Sequence, residues 1–435
     1  MKRRTACITL IFLLLGVVAA EALVLIQCPC PPSTPVQLQP PLGTGNIECT
    51  IPGTPPRNIA CKHLAGGDGF IRMAGDALGT YGEALYIFGF SDVTGLPADQ
   101  IMSSSIVKAN FAAPIISIKQ SQEFYLTLTN VGLIVRADLT DGHTVHFHGF
   151  INAASFFDGE PMASFGPVIG ASITYYYNLL DPGTYMYHCH VEAPEHMQMG
   201  MLGNLYVRPI QDDNATLKNL GTLRTPPSAT TAYTGFAYND GDGSTGYDVA
   251  YPIQIHAMDR EFHFADMTIQ PVNFVLLDER YPMLNGRGYP DTIVPPGVDL
   301  PFITPDAAPY FFGEPIAGAQ KVSSLITATA GQKILLRISN LSFHFYTLSV
   351  LGIPMKVVGR DAKLLRGPAP TNRDLTYNTN SITLGGGQTT DVMLDTTGIA
   401  AGTYFLYTTN LNNLSNSDQE RGGMMTEIHI SAPPP

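Results

Sequence analysis

The chain has 435 residues, enough for two or three domains with full cores. Charged side chains make up 14% of it against 45% hydrophobic ones, which excludes a disordered chain and leaves a lightly charged globular protein. A formal charge of −12 argues against nucleic acid as a partner.

Residues 1–22 read as a signal peptide, with Lys2-Arg3-Arg4, an apolar run over 8–19 and Ala20-Glu21-Ala22 as a small-residue cleavage site. That run is shorter than a membrane span needs, and no later stretch is long and apolar enough; an uncleaved anchor is the alternative. An exported protein is expected, whether periplasmic, cell-surface or secreted. Without residues 1–22, which hold three of the 24 basic and one of the 36 acidic side chains, the remainder stands at −14. Residues 23–49, rich in Pro and polar turn formers, read as an extended arm. In an exported chain Cys28, Cys30, Cys49 and Cys61 are expected in disulfides whose connectivity their spacing leaves open. A metal site around Cys28-Pro29-Cys30 is the alternative, and Cys189 is left as the odd thiol.

With 42 Gly and 34 Pro, turns are frequent and short strands are favoured. Residues 50–208 read as one β domain, with strands over 84–90, 123–129, 173–179 and 202–207. Residues 209–250 are polar and turn-rich and read as a linker. The acidic stretch from Asn239 to Asp248 lacks the bidentate Glu of a calcium loop and reads as a solvated turn. Strands resume over 333–338, 347–351 and 403–407, giving a second domain over 251–432.

Six of the eleven histidines lie between positions 143 and 196. His143, His146 and His148 form the first group; His188-Cys189-His190, followed by His196 and Met201, form the second. In a strand alternate side chains share a face, so His146 and His148 point one way. His188 and His190 likewise share a face, with Cys189 turned to the other. A thiolate, two imidazoles and a weak axial thioether make a blue copper site, which His196 and Met201 on the following loop and His143 upstream complete around Cys189. The outward imidazoles His146, His148, His188 and His190 then suit further copper. Zinc also takes Cys and His, but the thioether favours copper. His63, His256, His263, His344 and His429 are isolated and read as structural. Met197 and Met199 read as loop packing rather than soft ligands, and Glu192 and Glu195 as residues that solvate the copper loop.

The two halves repeat each other. Gly183-Thr184-Tyr185-Met186-Tyr187-His188-Cys189-His190 is echoed by Gly402-Thr403-Tyr404-Phe405-Leu406-Tyr407-Thr408-Thr409, and Gly200-Met201 by Gly423-Met424. Where the first half has metal ligands, the second has Tyr407, Thr408 and Thr409.

The pattern His-x-x-His-x-His-Gly at 143–149, with His188-Cys189-His190, His196 and Met201, resembles the multicopper oxidase family. Asp158-Gly159-Glu160-Pro161, Gly183-Thr184-Tyr185, Leu284-Asn285-Gly286 and residues 352–361 extend the resemblance over most of the chain after about residue 60. It implies an all-β fold of two cupredoxin-like, antiparallel Greek-key β-sandwich domains. It makes His143, Cys189, His196 and Met201 the type 1 copper ligands, and His146, His148, His188 and His190 half of a type 2/type 3 cluster that reduces dioxygen. Asp158 resembles the family's proton-relaying acid, an ordinary turn residue being the alternative. The spacing from Cys189 to His196 is longer than the commonest laccase pattern. A trinuclear cluster draws histidines from two domains, and the second domain has Ser349 and Leu351 at the aligned positions.

The reading that follows is an exported copper oxidoreductase. It takes single electrons from a small-molecule or metal-ion donor at the type 1 copper and passes them along His-Cys-His. Its cluster is completed by a homo-oligomer or by a partner that supplies the remaining histidines. A copper-binding electron-transfer or copper-handling protein is the alternative, and a nitrite-reductase-like activity a third.

Overall fold

The computed structural model describes residues 24–433 apart from 40–43, 75–83, 152, 221–231, 297, 299, 301–309, 312–313, 316–318 and 418. The expected signal peptide lies outside the described residues. The first domain packs two sheets face to face. One contains β1 (Val36–Gln39), β2 (Thr44–Ile51), β3 (Arg57–Arg72), β4 (Ala84–Asp92), β6 (Glu123–Gly132) and β8 (Ser172–Asn178), in the order β1-β2-β3-β6-β8 with β4 also on β3. The other is β5 (Ile116–Lys119), β10 (Leu202–Arg208), β9 (Gly183–His188) and β7 (His146–His148), in the order β5-β10-β9-β7. Their inner faces bury Leu64, Phe88, Phe124, Leu126, Phe147, Tyr177 and Leu205 in one core.

Two expectations need correction. The sandwich is not purely antiparallel, because β3 pairs with β6 and β5 with β10 in parallel; each pair is joined by a crossing connection instead of a hairpin. Residues 23–49 are more than an extended arm. β1 and β2 form a hairpin that continues the first sheet onto β3, so a boundary after residue 49 falls inside β2. Disulfides Cys28–Cys61 and Cys30–Cys49 fasten the N-terminal segment to β3 and β2, and these cysteines hold each other instead of a metal.

The second domain repeats the central strand pairs of this plan, in sheets of seven and five strands where the first domain has six and four. Val249–Met258 runs parallel to Lys333–Asn340 as β3 does to β6, and Ile326–Thr329 runs parallel to Met425–Ser431 as β5 does to β10. Its first strand begins at Val249, so the expected linker at 209–250 ends within that strand. The linker is also partly packed: Ala237, Tyr238 and Tyr247 are buried against Leu335, Val358 and Met393. Asp240 accepts from the Gly243 and Thr245 amides and from Gln211, so its carboxylate closes a turn.

The domains meet where β9 and β10 lie on Lys333–Asn340 and Gln388–Asp395. Thr184 donates to Asp391 Oδ1 at 2.5 Å, Thr389 donates to the Thr184 carbonyl at 2.8 Å, and Tyr238 donates to Asp391 Oδ2 at 2.5 Å. The buried Arg337 lies over the Tyr206 ring at 4.9 Å. A second seam joins the domains at Gln198, whose amide donates to Glu279 Oε1 at 3.0 Å and accepts from the Asp259 N–H at 2.8 Å.

Burial pushes the Glu279 carboxyl up to about 8. Between about pH 5 and 8 the folded chain therefore keeps a proton that the unfolded chain has released, and stability falls as pH rises by up to about 1.4 kcal/mol per unit. Glu279→Gln, which stays neutral, should match the wild type in Tm at pH 5 and exceed it at pH 8. Parallel Tm curves across that range would contradict the assignment.

Candidate metal centre

β7 and β9 are neighbours with His146 opposite His188 and His148 opposite Met186. Between the two histidines of β7, Phe147 points inward and stacks on Tyr177 with ring centroids 4.0 Å apart. That core contact fixes the parity of the strand, so both imidazoles must face outward. At the end of β9 the chain leaves the ladder: the Cys189 N–H donates to the Met201 carbonyl at 3.0 Å, and Cys189 turns into the core while His188 and His190 stack outside it at 5.5 Å. The expected split into an inward and an outward set is what the backbone produces.

The inward set is His143, Cys189, His196 and Met201, all fully buried. Ligand atoms of His143, Cys189 and His196 lie within 4.8 Å of one another. Cys189 Sγ is 3.2 Å from His196 Nδ1, and His196 comes from the short helix Ala193–Gln198, which Glu192 opens with a left-handed φ of 44°. Gly66 on β3 forms the floor; a Cβ there would stand 3.2 Å from the His143 ring and 3.4 Å from the Met201 methyl. Both nitrogens of His143 and Nε2 of His196 are buried without a hydrogen-bond partner. Orphaned polar atoms of this kind are rare in a native core, and a metal ion is the partner this donor set fits. Burial holds His143 well below its ordinary value and His196 down to about 4, and pushes the Cys189 thiol up to about 11. The imidazoles are thus neutral and ready to bind, whereas the thiol must lose its proton to the metal.

The outward set is His146, His148, His188 and His190. Ligand atoms of the first three lie within 4.8 Å of one another, and the His190 ring lies 5.0 Å from that of His146. His146 Nδ1 donates to the Asp158 carbonyl at 2.7 Å and His188 Nδ1 to the Cys189 carbonyl at 2.8 Å. Each bond selects a tautomer with an unprotonated Nε2 suited to a ligand role; that of His188 lies 3.3 Å from His148 Nδ1. His188 is buried, which holds it down to about 3, and the other three are half-buried. The second domain approaches the edge of this set through Gly387, where a Cβ would stand 2.9 Å from His148 Nε2. The remaining histidines lie elsewhere. His63 pairs with Thr129, His256 and His263 with backbone carbonyls, His429 with Glu427, and His344 lies 3.9 Å from Glu279.

Asp158 acts on His146 first through its backbone; its carboxylate Oδ1 stands 3.5 Å from Nδ1. Gly159 allows this approach, since it has φ +75° and a Cβ would fall 2.1 Å from the Val145 carbonyl oxygen. No sequence pattern marks Thr144, which joins the two sets: its N–H donates to Cys189 Sγ at 3.4 Å and its hydroxyl accepts from the His190 N–H at 3.0 Å. Nor did it mark Gly66 or Gly387, whose roles depend on contacts between distant strands. Met197 and Met199 belong to apolar clusters, as expected of loop packing. In the second domain, Ser349 faces Tyr407 across the ladder as His146 faces His188, so the aligned positions are structurally equivalent and carry no ligands.

Two family models, each described as multicopper oxidase, match residues 95–212 and residues 289–429. The chain belongs to the multicopper oxidase family. The solved structures it is similar to include the blue copper oxidase from Nitrosomonas europaea, with 19% identity and a TM-score of 0.56 over 85% of each chain. They also include the multicopper oxidase mgLAC, at 16% and 0.56 over 85% of each chain. A further multicopper oxidase matches at 14% and 0.54, over 88% of this chain and 93% of that one. At such identities the likeness is one of fold. No curated protein sequence matches. This multicopper oxidase is accordingly a copper-dependent oxidoreductase with cupredoxin-like domains.

Replacing Cys189 with Ser should abolish the intense thiolate-to-copper absorption of the copper-loaded protein. His146→Ala should keep that band and lower the copper content per chain. A blue band that survives Cys189→Ser would refute the assignment of the inward set.

Proposed function

We propose that this multicopper oxidase couples one-electron oxidation of a donor at the Cys189 site to reduction of dioxygen at the four-histidine site. Copper supplies the one-electron redox chemistry at the first site and the binding and reduction of dioxygen at the second. His143, Cys189, His196 and Met201 would hold the type 1 ion. The peptide His188-Cys189-His190 is the electron route, because one thiolate lies within a single residue of an imidazole on either side. His146, His148, His188 and His190 provide half of the type 2/type 3 cluster, and Asp158, on the loop against His146, delivers protons to it. The observation that carries the reading is the back-to-back arrangement of the two ligand sets on one strand end.

The cluster needs histidines that this chain does not bring to it, so a second copy completes the site. The loop beside the cluster, which carries Asp158, exposes Ile151, Met162, Phe165 and Val168. An apolar patch next to a half-built metal site suits an interface between copies. The protein is exported, consistent with its paired N-terminal cysteines. A second reading, a copper electron carrier or copper-handling protein, draws on the second domain's loss of every ligand position.

The oxidase reading expects an oligomer with more than one copper per chain and oxygen uptake supported by a phenolic or metal-ion donor. Phe165→Asp combined with Val168→Asp should lower the oligomeric mass and at least tenfold the oxygen uptake, while the blue band persists. A monomeric wild type with one copper and no oxygen uptake would leave the carrier reading standing.

A further inference from the structure

A cleft of about 350 Å³ opens away from both histidine sets, and none of the eight ligand residues lines it. Three parts of the chain build its walls. The β1–β2 hairpin supplies Val36 and Leu38, the turn after β4 supplies Leu96, and Lys321 and Val322 of the second domain close it beside Ile115. That closing segment is firmly held. The Ala319 carbonyl accepts from the Phe111 N–H at 2.9 Å, the Gln320 side chain exchanges two hydrogen bonds with the Arg72 backbone, and Val322 is buried with Ile115 and Tyr206. The cleft is thus a preformed junction of two domains and a hairpin, a common setting for small-molecule sites, and its volume falls in their range.

Its polar groups share one character. Lys108 and Lys321 both line the cleft and are exposed, and neither forms an ion pair among the described residues. Asp92 also lines it, but its carboxylate is paired with Lys62 Nζ at 2.7 Å and adds no net charge. Ser105 is a further lining residue whose buried hydroxyl has no hydrogen-bond partner, a rare state for such a group. Two unpaired ammonium groups on one apolar cleft stand out in a chain with 24 basic and 36 acidic side chains. Elsewhere Arg57, Arg72, Arg136 and Arg366 are each paired with a carboxylate.

We infer that this cleft binds a small organic carboxylate with an apolar body, its charge held by Lys108 and Lys321 and its body by Val36, Leu38, Leu96 and Val322. The walls select both halves of that ligand. Inorganic anions would meet the lysines but leave the apolar walls unfilled, and a neutral apolar molecule would leave both ammonium groups and the Ser105 hydroxyl without an acceptor. A medium-chain fatty acid and an aromatic acid share the required chemistry. Because the ligand touches the hairpin and both domains, its binding stabilises the folded chain by mass action. The site is independent of the oxidase reading, since its occupant is neither donor nor oxidant.

The test is calorimetric titration of the copper-loaded full chain with octanoate, benzoate and 1-octanol. Saturable binding of one acid per chain is expected, with a raised Tm, and the preferred acid tells a chain-like body from a ring. The alcohol should bind about tenfold more weakly or not at all. Lys108→Gln and Lys321→Gln, both at exposed positions, should each weaken the acid about tenfold while the blue band and the Tm of the unliganded protein persist. Leu38→Trp gives a second measurement, because the chain has no tryptophan. Its emission should shift to the blue as the acid fills the cleft and stay constant when Lys108→Gln and Lys321→Gln are added together. No saturable binding of either acid, equal binding of the alcohol, or unchanged affinity in both lysine variants would overturn the inference.

Discussion

The geometry of this molecule depends on three consecutive side chains where β9 ends. Cys189 must enter a closed core while His188 and His190 remain outside it, and period-two alternation of an extended chain accomplishes this only if the strand is held in register on both sides. β10 provides one side and β7 the other. The stack of Phe147 on Tyr177 then sets the parity of β7, which is why His146 and His148 meet His188 instead of facing the core. A register slip of one residue would turn Cys189 outward and its flanking histidines inward. Few single contacts in the chain have so many consequences.

The second domain contributes through its surface, having no ligand chemistry of its own. Its strands bind the back of β9 with a buried polar seam of Thr184, Thr389, Asp391 and Arg337. A buried seam of this kind is weak as a source of net stability, since desolvation offsets most of the attraction, but it tolerates only one docking geometry. That fits a role in fixing the pose of β9. With Ser349 and Tyr407 where the first domain has His146 and His188, the ladder keeps the same pairing. Strand pairing is a backbone property, so a cupredoxin-like domain loses its metal more easily than its fold.

Sequence patterning made the sites more legible than the fold. The histidine spacings carried the ligand sets because each ligand lies within a few residues of another, and strand parity converts such spacing directly into direction. The strand positions in both domains followed from turn residues and alternation. What escaped detection was nonlocal. The Pro-rich composition of residues 23–49 suggests an extended arm and conceals the β1–β2 pairing that disulfides to β2 and β3 secure. The parallel pairs join strands separated by whole hairpins. Thr144, Gly66 and Gly387 have no local signature, since what matters is which atom stands opposite them. Asp158 was legible as a residue near the cluster, but its carbonyl contact with His146 requires the loop path that Gly159 permits.

The two metal sites differ most in access, and that difference constrains the chemistry. All four inward ligands are fully buried, so no donor molecule reaches an ion held there, and electrons must enter through the edge of a ligand ring. The outward set is different, for His146, His148 and His190 are only half-buried, and the second domain approaches His148 through a glycine, Gly387. A small molecule can reach those imidazoles, whereas a side chain at position 387 would collide with one of them. For the proposed oxidase, an enclosed ligand set beside an accessible one would keep the donor and the oxidant from meeting, with Cys189 directly adjacent in sequence to either histidine.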